Sequence, residues 1–232
     1  MSYSPGQEPR HAVSTSSAEV RRILAAAATA LCLSCVGNPW AEGGAYTDHT
    51  EGSDFIPVDD AKADGVGAVF DQNNVMSDAF FQDTSVEASA VQAFLENAPY
   101  NGGIRCWLAD HMVDGIPASE AIVQGSRGEG INPIVMLGRL QVERSAISQT
   151  SPPSQHAVDY AFGCGCPDGS DCSPEYRGLQ KQIACAARTL RRHFDGSVSG
   201  EGAWRAGVPR ATLDPITVTP ANHATASLYA YT

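Results

Sequence analysis

The residue best placed to do chemistry in this chain is Glu143, which lies in the segment 130–148. At 100° per residue, a helix through this segment aligns Glu143 with Met136, Leu140 and Ile147 on one apolar stripe. Burial disfavours the ionised form of a carboxyl group, so a Glu in this position could hold its proton near neutral pH. A protonated carboxyl is what a general acid needs. The pattern therefore indicates a candidate acid on a buried helix.

The helix that carries Glu143 has recognisable start signals. Asn132 can cap it, and Pro133 suits its first turn, where a missing N–H costs nothing. Apolar residues lie on more than one side, which predicts a central and largely buried helix. The same helix also allows a structural ion pair between Glu143 and Arg139 or Arg144. Such pairs are common, so the helix alone leaves both interpretations open.

The remaining patterns predict a mostly α protein. A capping-box pattern at Thr84 to Glu87 opens an amphipathic helix that ends near Asn97. Further helices are predicted at 117–126, at 175–194 and from Thr219-Pro220 to the last residues. No strand pair and no internal repeat is expected. The long loop at 150–173 is typical of a binding or active-site surface.

The chain has seven cysteines, of which Cys32 and Cys35 belong to residues 1–36, a segment with the pattern of an export signal. In an exported protein the other five indicate disulfides more strongly than metal ligands. Cys166 and Cys172 bracket a tight loop and form the first expected pair. Among Cys106, Cys164 and Cys185 one pair and one free thiol are expected, and we favour Cys164 with Cys185. The Cys-x-Cys spacing could suggest zinc, but no neighbouring His completes a site, so no metal and no cofactor are predicted.

Composition limits the classes of function. The chain has 232 residues, of which 43% are hydrophobic and 18% charged, enough for one globular domain with extra segments. The formal net charge is −11. Nucleic-acid binders and basic membrane-surface proteins have the opposite balance, so neither nucleic acid nor a bare membrane surface is an expected partner.

Residues 1–36 have the pattern of an export signal. Arg21 and Arg22 precede an apolar run that is too short to span a bilayer. The run ends in Leu33-Ser34-Cys35, which resembles a bacterial lipoprotein processing site, so lipid attachment at Cys35 and simple cleavage nearby both stay open. We expect a cell-envelope or secreted protein whose membrane contact, if any, is the lipid. Residues 37–68 are predicted to be a flexible linker and residues 69–232 the domain.

Four blocks of the sequence resemble one known family. The blocks are NNVMSDAFFQDTSVEASAVQAFL, GINPIVMLGRLQVERSAIS, GCPDGSDCSPEYRGLQKQIACAARTLRRH and ANHATASLYAYT. Together they are similar to an exported, lysozyme-like domain of the lytic-transglycosylase type, found in bacterial cell-wall-associated proteins. The resemblance covers about residues 73–232. It implies a lysozyme-like α fold that acts on the glycan strands of peptidoglycan. We expect the protein to be a monomer.

The resemblance also implies roles for particular residues. Glu143 matches the helix-end Glu that serves as general acid in the lysozyme superfamily. Gln182 and Tyr229 match family positions that could line the sugar cleft, with the Tyr229 hydroxyl near the Glu143 carboxyl. Tyr176 and Trp204 are further candidates for stacking on sugars, and core packing is the alternative for all four side chains.

A classical hydrolase needs a second carboxylate. The candidates are Asp159, Asp168 and Asp171, and the last two have the character of turn formers. A single acid fits a lytic transglycosylase or a substrate-assisted cleavage better. A glycan-binding or scaffold protein that kept the fold and lost the chemistry is the alternative, and a secreted adhesin or toxin-like module is a third hypothesis.

Overall fold

The computed structural model describes residues 70–100, 102–167, 169–213 and 216–231. The predicted export signal with Cys35, the predicted linker and Asp168 lie outside these described residues. Seven α-helices can be delimited in the described ranges, in line with the mostly α expectation. They are α1 (Asp78–Phe81), α2 (Ala88–Glu96), α3 (Ala118–Gly128), α4 (Pro133–Arg144), α5 (Gln155–Asp159), α6 (Leu179–Ser199) and α7 (His223–Tyr231). Short 3₁₀ turns occur at Trp107–Ala109, Ala146–Ser148 and Pro174–Tyr176.

Helix α4 begins where the sequence predicts and ends earlier. The Asn132 side chain accepts a hydrogen bond from the Ile134 N–H at 3.0 Å, and Pro133 is the first helical residue. The helix stops at Arg144 because Ser145 takes a left-handed conformation with φ 50°. Residues 133–141 are all buried. Glu143 therefore lies in the last turn of a helix that forms the centre of the core.

The expectation of no strand pair is wrong. Strands β1 (Met112–Val113) and β2 (Ile116–Pro117) pair antiparallel across Asp114 and Gly115. Both turn residues have positive φ, 48° and 88°, as a two-residue hairpin of the Asp-Gly type requires. The Asp-Gly pair was the signal in the sequence.

A second short antiparallel pair joins β3 (Arg210–Ala211) to β4 (Thr217–Val218). Each of its strands, like those of the first pair, is only two residues long. A strand this short cannot show the alternation of apolar and polar side chains by which strands are predicted from sequence. Both pairs lie at the edges of a helical core.

Several helix starts also differ from prediction. Thr84 does not cap α2, whose N-cap is Glu87, without a side-chain hydrogen bond. Helix α6 begins at Leu179 rather than 175, because Pro174 opens a separate 3₁₀ turn. Helix α7 begins at His223 rather than 219.

The core is made by packing α4 among α3, α6 and α7. Helices α3 and α6 approach closely, since a methyl group added at Gly125 would collide with the Ile183 side chain. Nearer the C-terminal end of α6, the Phe194 ring stacks on the Phe81 ring of α1 with centroids 4.9 Å apart. The Ser227 hydroxyl on α7 donates to a carbonyl of α6 at 2.7 Å. The Ser227 hydrogen bond fixes α7 against α6.

No helix among the described residues is long and apolar enough to cross a membrane.

Candidate active site

Glu143 lies at the exit of the central helix with one carboxylate oxygen engaged and the other turned toward a loop. Its side chain is 26% exposed. Oε1 accepts a hydrogen bond from the Arg139 guanidinium, four residues earlier on α4. Oε2 faces Gly163, where an added methyl group would lie 3.6 Å from it. Oε2 receives no hydrogen bond from the residues described, so it is the oxygen of this carboxyl that has no protein donor.

The two arginines considered as partners of Glu143 have different roles. Arg139 forms the ion pair. Arg144 instead donates from Nη2 to the Tyr160 carbonyl at 3.3 Å. The structural pairing that the sequence left open is therefore present, and it is made through Arg139.

Arg139 is an unusual residue in the core because its side chain is only 3% exposed. Buried arginines normally satisfy most of their five N–H groups. The Nε–H of Arg139 is buried and has no acceptor among the described residues. The guanidinium carbon lies 4.1 Å from the ring centroid of Tyr231, within cation–π range. Arg139 is thus held between Glu143 and an aromatic face.

Tyr231 connects this pair to the loop that Glu143 faces. Its hydroxyl donates to the Phe162 carbonyl at 3.0 Å. Burial raises the pKa of the Tyr231 phenol far above its ordinary value, with Arg139 opposing and Glu143 reinforcing this rise. Tyr231 therefore stays a neutral donor, and its ring and hydroxyl bind two different elements.

Gln182 holds the same loop from the side of α6. It is fully buried, and its Oε1 accepts from the Phe162 and Cys164 N–H groups at 3.1 Å each. Its Nε2 donates to the Cys164 and Tyr176 carbonyls at 2.8 Å each. With two donors and two acceptor positions in use inside the protein, the side chain has no surface to offer a sugar. The structure thus corrects the expectation that Gln182 binds substrate and gives it a supporting position.

Both predicted disulfides are present, and both close this loop region. Cys164 is joined to Cys185 and Cys166 to Cys172, with Cα atoms 6.3 and 4.1 Å apart. Cys106 is the free thiol and is buried. Disulfides are typical of an oxidising compartment, which agrees with an exported protein. The segment opposite Glu143 is therefore cross-linked to α6.

Tyr229 does not lie where the sequence predicted. Its hydroxyl donates to the Gln72 carbonyl at 3.0 Å, and its ring stacks on Trp204 with centroids 5.0 Å apart. Trp204 is itself buried in this small separate cluster. Residues two apart on a helix differ by about 200° in direction, so Tyr229 and Tyr231 face opposite sides of α7. Tyr231, which no motif in the sequence marked as a site residue, is the tyrosine beside the Glu143 pair.

Tyr176 is 37% exposed, and its ring covers the backbone of Gly165 in the disulfide loop. A methyl group added at Gly165 would lie 2.5 Å from Cδ2 of Tyr176. The exposed side of this ring remains open to solvent, so the structure keeps Tyr176 as a candidate sugar contact.

A small cleft of about 270 Å³ is lined by residues of α5 and of the same loop. Asp159, Asp171 and Arg177 are among its lining residues. Asp159 is buried and accepts from Gln155 at 3.0 Å and from Arg177 at 2.7 Å. Burial opposes its ionisation, but these hydrogen bonds outweigh burial and lower the pKa of Asp159. Asp159 is therefore an ionised carboxylate whose oxygens are engaged by protein groups, and Asp171 is exposed at the rim.

Within the described ranges, no group of three or more His, Cys, Asp or Glu side chains is arranged to hold a metal ion. The groups at Glu143 are its own carboxyl, the Arg139 guanidinium and, over that guanidinium, the Tyr231 ring. Comparison with family models, with curated proteins and with solved structures gives no match.

Proposed function

We propose that this chain is a cell-envelope glycosidase with a lysozyme-like fold that cleaves peptidoglycan glycan strands, using Glu143 as general acid. The observation that carries the proposal is the position of the Glu143 carboxyl. It is the only carboxyl on a buried central helix, and its Oε2 is directed to a loop closed by two disulfides. The sequence blocks that resemble lysozyme-like domains surround this same residue.

In the proposed mechanism, Glu143 donates a proton to the glycosidic oxygen as the bond to the anomeric carbon breaks. The sugar ring then develops oxocarbenium character, and the leaving sugar departs as an alcohol. Arg139 stabilises the carboxylate that remains. This carboxylate can take a proton from the hydroxyl group that attacks the anomeric carbon.

The engagement of Asp159 favours transglycosylation over classical hydrolysis. A hydrolase needs a second carboxylate that can act on water or on the anomeric carbon. The carboxylate oxygens of Asp159 are already bonded to Gln155 and Arg177. An internal sugar hydroxyl as nucleophile needs only one acid–base residue, so a lytic-transglycosylase reaction with an anhydro-sugar product fits these residues better.

A non-catalytic peptidoglycan-binding or scaffold protein is the second candidate. The Arg139–Glu143 ion pair favours it, since such a pair between residues four apart is also a common structural contact. In that case the glycan would bind without cleavage, and Glu143 would serve only to neutralise a buried arginine.

Digestion of purified peptidoglycan by the full chain tests the proposal. Glu143→Gln keeps the shape and removes the proton donor, and we expect it to lower cleavage about 10²- to 10⁴-fold. Glu120→Gln, on α3 beside Gln124, is the matched control and should retain activity. Anhydro-sugar ends among the products identify transglycosylation, and reducing ends identify hydrolysis. If wild type and Glu143→Gln are equally inert yet both pellet with the glycan, the binding protein is the correct assignment.

A further inference from the structure

The contacts around Glu143 form one chain of side chains that runs from the central helix to the opposing loop. Arg139 binds Oε1 of Glu143, and the Tyr231 ring covers the Arg139 guanidinium. The Tyr231 hydroxyl then binds the Phe162 carbonyl, and the Phe162 N–H binds Gln182. The first contact lies within α4, and the next three join α4 to α7, α7 to the loop and the loop to α6, so the direction of the carboxylate depends on residues of all four.

The cost of this arrangement indicates that it does more than fill the core. A guanidinium at 3% exposure loses nearly all of its hydration, and the buried Nε–H of Arg139 has no acceptor within the described region. An apolar residue at this position would pack in the same helix without that cost. This cost of burial is offset because the planar, charged guanidinium of Arg139 binds one carboxylate oxygen from a fixed direction.

Fixing Oε1 also fixes Oε2. A carboxylate is planar, so when the Arg139 guanidinium holds one oxygen, the other must lie on the far side of the carboxyl carbon. In the structure that side faces Gly163, where φ is +72° and an added methyl group would lie 3.6 Å from Oε2, an ordinary van der Waals distance. The direction in which Oε2 points is therefore set by the Arg139 guanidinium.

From this geometry we infer that Arg139 and Tyr231 are positioning residues for Glu143: Arg139 orients the carboxyl so that Oε2 faces the glycan, and Tyr231 holds Arg139 in place. The inference rests on the proposed function, because only a glycosidase reaction makes the glycosidic oxygen the atom toward which Oε2 is directed. A displacement of a reacting group by about 1 Å can cost about 100-fold in rate. Loss of either residue should therefore lower kcat far more than it changes KM.

The chain contains a matched control for this arrangement. On α6, Arg191 pairs with Asp195 four residues later, and its guanidinium carbon lies 4.8 Å from the Phe194 ring centroid. The geometry resembles that of Arg139, Glu143 and Tyr231, but Arg191 is 27% exposed and lies on a different helix. Arg191→Met therefore removes the same kind of contact without touching Glu143.

The experiment compares Arg139→Met, Arg139→Lys, Tyr231→Leu and Arg191→Met in steady-state cleavage of soluble glycan strands by the full chain. We expect Arg139→Met and Tyr231→Leu to lower kcat about 10- to 100-fold with little change in KM. Arg139→Lys keeps the charge without the planar fork and should recover part of kcat, whereas Arg191→Met should match wild type. Folded Arg139→Met with wild-type kcat overturns the inference, as does an equal loss in Arg191→Met.

A spectroscopic measurement separates this inference from the proposed function. In nitrogen-15-labelled wild type, a guanidinium held over a ring should give slowly exchanging N–H signals displaced by the ring current, identified by their loss in Arg139→Lys. Tyr231→Leu should remove that displacement. If wild-type protein leaves glycan uncut, the proposed function fails, and these signals alone decide whether Tyr231 holds Arg139. Signals unchanged in Tyr231→Leu overturn the inference even when the enzyme is active.

Discussion

Replacing Gln182 by Met tests whether one buried amide holds the loop opposite Glu143. Met has nearly the same length and shape as Gln and cannot replace its hydrogen bonds. The substitution removes four contacts, two to the N–H groups of Phe162 and Cys164 and two to the carbonyls of Cys164 and Tyr176. The two N–H groups lose their partner, because the side chain that replaces the amide has no comparable acceptor.

The expected loss follows from those groups. Each buried donor left unsatisfied costs about 1–3 kcal/mol, and the apolar Met side chain recovers part of this in a fully buried site. We therefore expect the free energy of unfolding to fall by about 3 kcal/mol. With a urea slope of about 2 kcal/mol per molar, the unfolding midpoint should drop by about 1.5 M.

The assay is urea unfolding of the oxidised full chain, followed by the circular dichroism of the helices. Lys181→Met, the exposed neighbour on α6, makes the same residue at the surface and should change the free energy by less than about 0.5 kcal/mol. A Gln182→Met variant as stable as Lys181→Met would refute the reasoning, because it would mean that the disulfides alone hold the loop.

Two further outcomes follow from titratable groups. Cys106 is buried, and loss of hydration raises its pKa to about 11 against a weaker opposing backbone hydrogen bond from Leu108. In native protein at pH 8 it should therefore resist alkylation by iodoacetamide, and in urea it should react fully, as peptide mass mapping would record. Rapid labelling of the native protein would instead place the thiol at the surface. Asp159 has a lowered pKa in the folded protein, so its contribution to stability is present above its unfolded pKa of about 3.9 and is lost as pH falls through the lower folded value. Asp159→Asn should therefore be less stable than wild type at pH 7 in urea unfolding, and the difference should shrink below about pH 4; a difference that stays constant with pH would show that the Asp159 contacts do not depend on its charge.

Local signals in the sequence were sufficient for the start of α4 and for one of the disulfides. The cap at Asn132 and the Pro at 133 place the start of α4, because both act on the first helical turn alone. The pair Cys166–Cys172 follows from a loop too short to separate its ends. By contrast, the Asp114-Gly115 hairpin was missed although its signal is local, because its strands are only two residues long.

What the sequence alone determined about the candidate site was its central residue: Glu143, the single carboxyl in line with an apolar stripe. Which arginine pairs with it was decided by the ending of α4, since the turn at Ser145 follows directly and Arg144 extends instead to the Tyr160 carbonyl. That Tyr231 and not Tyr229 flanks it was decided by the rotation of α7 about its axis, which packing against α6 fixes.

The placement of Gln182 has the same origin. Helical spacing showed only that this amide lies beside an apolar stripe, and packing decided that it would bind the backbone 20 residues earlier instead of a ligand. Periodicity along a chain gives the face on which a side chain lies, but the atoms that meet that face come from distant segments. Their identity is set by how the helices pack, and only the tertiary structure contains that information.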